Sequence, residues 1–397
     1  MIASGNLASF WGLDPKVACL NHGSYGACPI AVLESQEALR REMESEPDDF
    51  LRIKLERRLH AARESFASFL GADPEGLVFV QNATAGINAV LRSLNFGSGD
   101  EILATNVTYC RKALDFIADH TGASIVIAEL PFPLSDEDQI VSTVLGCVSS
   151  RTRLALLDHV TSATSVILPI SRLVSELQEL GVDVLVDGAH GVGMVPLSLS
   201  TLESAYYVGN AHKWLCAPKG AGFLYIRGDR RVGLHPPVIS HGYGAGLRAE
   251  FDWAGTFDPT PWLCVPDAIR HVGGLLPGGW PEVMRRNHGL AVEATRCVLG
   301  ALGKEPPCPD SMIGSMASIP LPLGHTNSIG ARVGSAGLCA WFRERGVRTL
   351  LIDQPMPILR ISAHLYNTID QYQMLASLLK EALDGGVGVC DGGGLDG

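Results

Sequence analysis

Forty-six residues, Val182 to Arg227, constrain the rest of the chain more than any other stretch: VDVLVDGAHGVGMVPLSLSTLESAYYVGNAHKWLCAPKGAGFLYIR. They hold three apolar runs of strand length, Val182–Val186, Ala205–Val208 and Gly222–Ile226, separated by Gly- and Pro-rich turns. Short apolar runs bounded by turn residues read as strands buried on both faces. The same rhythm appears upstream. Runs at Leu77–Val80, Glu101–Ala104, Ser124–Ala128 and Leu154–Leu157 alternate with helical patterns at Ile87–Leu94, Gln139–Cys147 and Ile170–Leu180. Strands and helices in alternation predict a mainly parallel sheet with helices on both faces.

Two of these runs end on reactive side chains. The first stops at Asp187, followed by Gly188, Ala189 and His190; the second leads through Gly209-Asn210-Ala211-His212 to Lys213 and Trp214. A strand-end aspartate can simply cap the next turn, and a lone lysine is usually solvated. Both stand here among small or apolar residues, at the edge where open α/β sheets bind ligands. A carboxylate and a lysine delivered to one edge suit pyridoxal phosphate (PLP). The lysine forms a Schiff base with it, and the carboxylate keeps its ring nitrogen protonated.

Other segments add to this reading. Gln81-Asn82-Ala83-Thr84-Ala85-Gly86 turns a strand into a helix. The exposed N–H groups of Ala83, Thr84 and Ala85 and the Thr84 hydroxyl would suit a phosphate, or form an ordinary N-cap. No GxxxxGK[ST] motif points to a nucleoside triphosphate. His190 and His212 lack a third ligand at recognisable spacing, so no metal is expected. Leu20–Gly26 sets polar side chains among glycines; His22 there reads equally as a structural or a catalytic histidine.

Bulk properties bound the rest. The chain has 397 residues, 46% hydrophobic and 18% charged, enough for a large domain with a smaller one. The N-terminus lacks the basic and apolar regions of a signal peptide, and no apolar run reaches membrane-span length. A net charge of −11 argues against nucleic acid or an anionic membrane as partner. Ten cysteines without CxxC spacing read as reduced thiols of a cytoplasmic protein. Beyond a helical stretch at Pro266–Leu276, a helix at Val283–Leu302 and strands near Ser315–Leu321, Thr349–Ile352 and Ile358–Ser362 predict the smaller domain. The expected division is 1–30 as a segment contributing to the site, 31–265 as the large domain and 266–384 as the small one. The Gly-rich tail 385–397 is expected to be disordered.

Seven motifs, in order, carry a family resemblance: LNHGSYGACP at 20–29, NATAGINAVLRSL at 82–94, DHVTSAT at 158–164, DGAHGVG at 187–193, NAHKW at 210–214, WAGTFDPTPWL at 253–263 and LRISAHLYNT at 359–368. With them the chain resembles the class V aminotransferase family of PLP enzymes, in its isopenicillin N epimerase-like branch. The resemblance implies a type I PLP-dependent transferase fold, with a mainly parallel seven-stranded sheet in the large domain and a smaller α+β C-terminal domain. It implies that Lys213 and Asp187 are catalytic. The cofactor would be held by Ala83, Thr84, Ala85, Tyr109 stacked on the ring, Ser162 (with His159) along it, His190 near the ring hydroxyl and His212 near the phosphate. Asn21, Tyr25 and Arg360 would bind the substrate, Arg360 gripping its carboxylate through a bidentate fork. Thr256 would reach the neighbouring subunit's cofactor, making a homodimer with composite sites. Cys110-Arg111-Lys112 directly after Tyr109 depart from the family pattern, as does Phe257, where an arginine is usual.

The expected function is an amino-acid epimerase. A carbon–sulfur β-lyase is the first alternative and an aminotransferase the second, with a non-catalytic binding module of the same fold set against all three. A persulfide route is not expected, because Cys339 lies in a helical pattern, Ser335–Arg345, and no cysteine stands between it and Arg360.

Overall fold

The computed structural model describes residues 7–321, 329–353 and 356–384; the glycine-rich tail lies outside them. Seven strands form one sheet: β1 (Leu77–Val80), β2 (Glu101–Thr105), β3 (Ser124–Ala128), β4 (Thr152–Asp158), β5 (Asp183–Gly188), β6 (Tyr206–Asn210) and β7 (Gly222–Ile226). Their spatial order is β1-β7-β6-β5-β4-β2-β3, and β7 alone runs antiparallel to its neighbours. Residues of β1, β2, β6 and β7 are buried throughout. That is why their sequences are continuous apolar runs rather than alternating ones. Parallel pairing brings the carboxyl ends of β2, β4, β5 and β6 to one edge, where Asp158 of β4 pairs in register with Asp187 of β5.

Helices cover both faces. The helix opening at Ala83 (Ala83–Ser93) starts four residues before the expected Ile87, because Asn82 caps it by accepting from the Ala85 N–H at 2.9 Å. Between the helices Ile30–Ser45 and Leu55–Leu70 lies a wide helical turn, Asp49–Lys54, anchored by the buried Phe50. The helices Arg111–Thr121 and Ile369–Asp384 had no sequence expectation.

The C-terminal part holds a three-stranded antiparallel sheet of β8 (Met316–Pro320), β9 (Leu350–Ile352) and β10 (Ile358–Ser362), with β10 central. The helix Gly279–Leu302 packs on β8 and on Ile369–Asp384. The N-terminal segment is tied to this part rather than loose. Ala18–Cys19 pairs in parallel with Val347–Arg348, and the Ser362 N–H donates to the Leu20 carbonyl at 2.8 Å. Among the described residues no helix is long and apolar enough to cross a membrane.

Candidate active site

The strand ends open into a cavity of about 620 Å³ whose wall includes Lys213, Asp187, His190, Thr84, Tyr109 and Arg360. Asp187 is buried at the end of β5, and its Oδ1 accepts the Ala189 N–H at 3.0 Å. Burial raises its carboxyl above the ordinary range, with that N–H and the Lys213 charge acting the other way. The small residues that follow it make room for a neighbour. A Cβ at Gly188 would lie 2.1 Å from the Tyr207 ring, and one at Gly191 2.3 Å from the Tyr207 hydroxyl. That hydroxyl is held by His159 Nδ1 at 2.9 Å, so His159 supports the wall rather than entering it.

Lys213 Nζ lies 3.2 Å from His190 Nε2, and Trp214 Nε1 lies 3.2 Å from His190 Nδ1. An indole N–H can only donate, so Nδ1 is an acceptor and the proton of the neutral ring sits on Nε2. That N–H points at the lysine nitrogen and favours a neutral amine with a lone pair to receive it. Burial acts in the same direction, bringing the Lys213 amine down to about 8. It also holds His190 well below its usual value, hence neutral. The result is an amine prepared for nucleophilic attack.

Across the cavity, Arg360 of β10 is buried, 2% exposed. Its Nη1 donates to the Ser162 carbonyl at 2.9 Å and Oγ at 3.0 Å; its Nη2 donates to Asn21 Oδ1 at 3.2 Å and Ser24 Oγ at 2.7 Å. All four partners are neutral, and among the described residues its Nε has none. Burial without a counter-charge lowers the guanidinium to about 10. A desolvated cation beside an open cavity is a site for an anion.

The expected residues divide accordingly. Lys213, Asp187, His190, Thr84, Ala83, Tyr109, Ser162, Tyr25 and Arg360 share the cavity wall, with Tyr25 and Tyr109 largely exposed at its rim. Ser162 contacts Arg360 rather than standing apart from it, and Asn21 meets the same guanidinium. The Ala83 and Ala85 N–H groups are already taken, by Asn210 Oδ1 and Asn82 Oδ1, both at 2.9 Å. Their place at the helix start therefore leaves Thr84 as the phosphate-facing candidate. His212 turns its Nδ1 to the Ala221 carbonyl at 2.8 Å and is not part of the described lining. Exposed Thr256 borders an adjoining cavity of about 550 Å³, together with Asn82, Ala85, Trp262 and Thr84, the last shared with the Lys213 cavity.

His22 resolves as structural. Its Nδ1 meets the Tyr366 hydroxyl at 2.8 Å and its Nε2 the Lys213 carbonyl at 3.0 Å, so it clamps the lysine loop from behind. His22, Cys216 and His364 come close enough to share an ion. However, the two rings stack at 4.2 Å and 18°, so their in-plane lone pairs run side by side instead of converging.

Four residues without an expected role belong to the site: Ser24 on Arg360, Trp214 on His190, and Asp158 and Cys110 beside Asp187. Only Asp158 carried a signal, as a strand-ending acid like Asp187. The contacts of the others cross the fold.

Comparison with known proteins gives concordant results. The family model for class V aminotransferases matches residues 38–255. The isopenicillin N epimerase of Amycolatopsis lactamdurans is 37% identical, covering 93% of this chain and 96% of its own. A putative L-cysteine desulfhydrase 2 of Oryza sativa subsp. japonica is 34% identical, over 87% of this chain and 74% of its own. Among solved structures, a C-DES variant with glycine covalently linked to the PLP cofactor superposes with a TM-score of 0.78 at 22% identity, over 94% of this chain and 98% of that one.

Proposed function

This chain belongs to the class V aminotransferase family, and on that footing we propose that it is a PLP-dependent amino-acid epimerase of the isopenicillin N epimerase type. The observation that carries the reading is the pairing of a half-buried Lys213 amine, brought down to about 8, with an unneutralised Arg360 across one cavity. The residues present fit the cofactor: Asp187 suits a protonated ring nitrogen, the Thr84 turn suits a phosphate and Lys213 suits an aldehyde. When bound, PLP supplies that aldehyde and a ring that withdraws electrons from the amino acid's Cα.

The chain's own residues do the rest. Arg360, oriented by Ser162, Asn21 and Ser24, takes the substrate carboxylate in place of water. Lys213, on the wall of the same cavity, would take up the Cα proton at Nζ. His190, locked by Trp214, holds its N–H toward that amine and keeps it from recapturing a bulk proton. Asp187 would hold a proton at the cofactor's ring nitrogen. Epimerisation then needs the proton returned on the opposite face.

Carbon–sulfur β-elimination is the second reading, favoured by the similarity to a putative cysteine desulfhydrase. A persulfide relay is not favoured: Cys339 sits in the helix Ile329–Glu344, and burial raises its thiol. Transamination ranks third. A homodimer with composite sites is part of the proposal; in its own subunit Thr256 stands exposed on the cavity that shares Thr84 with the Lys213 cavity but does not line the latter.

Incubation with candidate amino acids in deuterated water tests these readings. Deuterium at Cα with inverted configuration supports the epimerase. Pyruvate with sulfide and ammonia replaces it with the lyase, and a requirement for a keto acid replaces it with the transaminase. Absence of an absorption band at about 400–430 nm in the purified protein with PLP overturns the cofactor assignment.

A further inference from the structure

Asp158 is a buried carboxyl to which the proposed chemistry gives no task. It ends β4 as Asp187 ends β5, and the two are register partners on adjacent parallel strands. Register partners project from the same face of a sheet, and both side chains line the cavity. Both residues are buried, at 4% and 8% exposure. Asp187 has the Ala189 N–H, while Asp158 has Thr108 Oγ1 at 3.0 Å from its Oδ2 and its own backbone N–H.

The groups facing this pair are few. From the loop after β6 comes Lys213, whose charged form burial disfavours and the Asp187 charge favours. From the loop after β2 comes Cys110, its Sγ 4.0 Å from Asp187 Oδ2, with burial raising the thiol to about 12, so it brings no charge. From the loop after β5 comes His190, neutral as argued. Arg360 is committed to Ser162, Asn21 and Ser24. Two carboxylates side by side in such surroundings cannot both ionise. Asp187, which interacts with Lys213 more strongly than Asp158 does, is the one that carries the charge.

We propose that Asp158 is a positioning residue for Asp187: it rests as a neutral acid and donates its proton to the Asp187 carboxylate, so that the pair presents one negative charge, aimed by that bond, to the cofactor's ring nitrogen. Its purpose rests on the cofactor reading above; its protonation does not. Burial is the first cause holding the Asp158 carboxyl well above its ordinary range, and the Asp187 charge is the second.

The test compares wild type with Asp158→Asn, a neutral isostere, first as apo-protein by calorimetry. A carboxyl raised by folding gives full stability below its unfolded value of about 4, and this stability is lost as pH rises through the folded value. Asparagine loses nothing. The variant should therefore melt within about 1 °C of wild type at pH 4 and about 2–5 °C above it at pH 7.5. Equal melting at both pH values, or a lower melting point at pH 7.5 than at pH 4 relative to wild type, overturns the proposal.

With PLP bound, D158N should keep the pH midpoint of the visible band within about 0.3 unit, because a neutral donor replaces a neutral donor. D158A, which removes the donor, should move that midpoint. A shift of a unit or more in D158N, or none in D158A, refutes the positioning role. Absence of any band with added PLP refutes the cofactor reading and leaves the apo-protein result standing. Should D158N not fold, the infrared stretch of a neutral carboxylic acid in wild-type apo-protein at pH 7.5 decides, and its absence overturns the proposal.

Discussion

Replacing Trp214 with phenylalanine removes one N–H and, on the geometry above, changes the basicity of a lysine that the indole nitrogen does not bond. In wild type the indole donates to His190 Nδ1 at 3.2 Å, which places the imidazole proton on Nε2, facing Lys213 Nζ at 3.2 Å. Without the indole donor the ring can adopt its other tautomer, and Nε2 becomes an acceptor for a lysine ammonium. A hydrogen bond to a charged group contributes about 1.5–3 kcal/mol, which is about 1–2 pKa units. The Lys213 amine, at about 8 in wild type, should then rise by that amount.

At pH 7.5 the neutral fraction of an amine titrating at about 8 is about one quarter. One unit higher it is about one in thirty, so PLP capture by apo-protein should slow by about 8-fold for one unit and about 75-fold for two. The assay is the rate of growth of the visible band after mixing apo-protein with PLP, measured across pH 6–10. Trp214 is buried, 1% exposed, so the smaller ring leaves a void costing about 1–3 kcal/mol; a melting curve verifies that the variant stays folded at the assay temperature. A W214F rate profile with its midpoint at or below that of wild type refutes the tautomer argument, and His190→Gln serves as the control that removes the imidazole altogether.

Two further substitutions probe other parts of the site. Arg360→Lys keeps the charge but cannot span Ser162 and Asn21–Ser24 while presenting a fork. Loss of about two charge-assisted hydrogen bonds to substrate should lower kcat/KM by about 10²–10³-fold, mainly through KM, with PLP binding retained; unchanged steady-state kinetics would refute the anion-site assignment. Gly188→Ala places a methyl 2.1 Å from the buried ring of Tyr207 and should cost about 2–4 kcal/mol, read as a lower denaturant midpoint; an unchanged midpoint would show that Tyr207 can move.

The strands and the two central catalytic candidates were legible in the sequence because burial on both faces leaves no polar alternation to confuse. Asp187 and Lys213 stand out as polar interruptions at strand ends, and the sheet brings both to one cavity. The helix Arg111–Thr121, which opens at Cys110 directly after Tyr109, had no sequence expectation. Ser162 was expected along the ring because its loop is; that it meets Arg360 depends on a contact 198 residues away. Ala83 and Ala85 looked like open phosphate donors because local pattern does not reveal that Asn210, 127 residues on, already occupies the first. Local patterning reports which face a residue belongs to, whereas hydrogen-bond partners belong to the assembled molecule.

The Arg360 grip has a consequence for how the protein is made. Its guanidinium reaches Asn21 across 339 positions of chain and Ser24 across 336. A ribosome that has just passed Trp214 has joined Asp187, Lys213 and the Thr84 turn in one chain, but not β7, which lies between β1 and β6, nor Arg360. The sheet edge and the cavity wall are therefore completed only by later segments, and a chain cut short before β10 lacks the wall that the guanidinium makes.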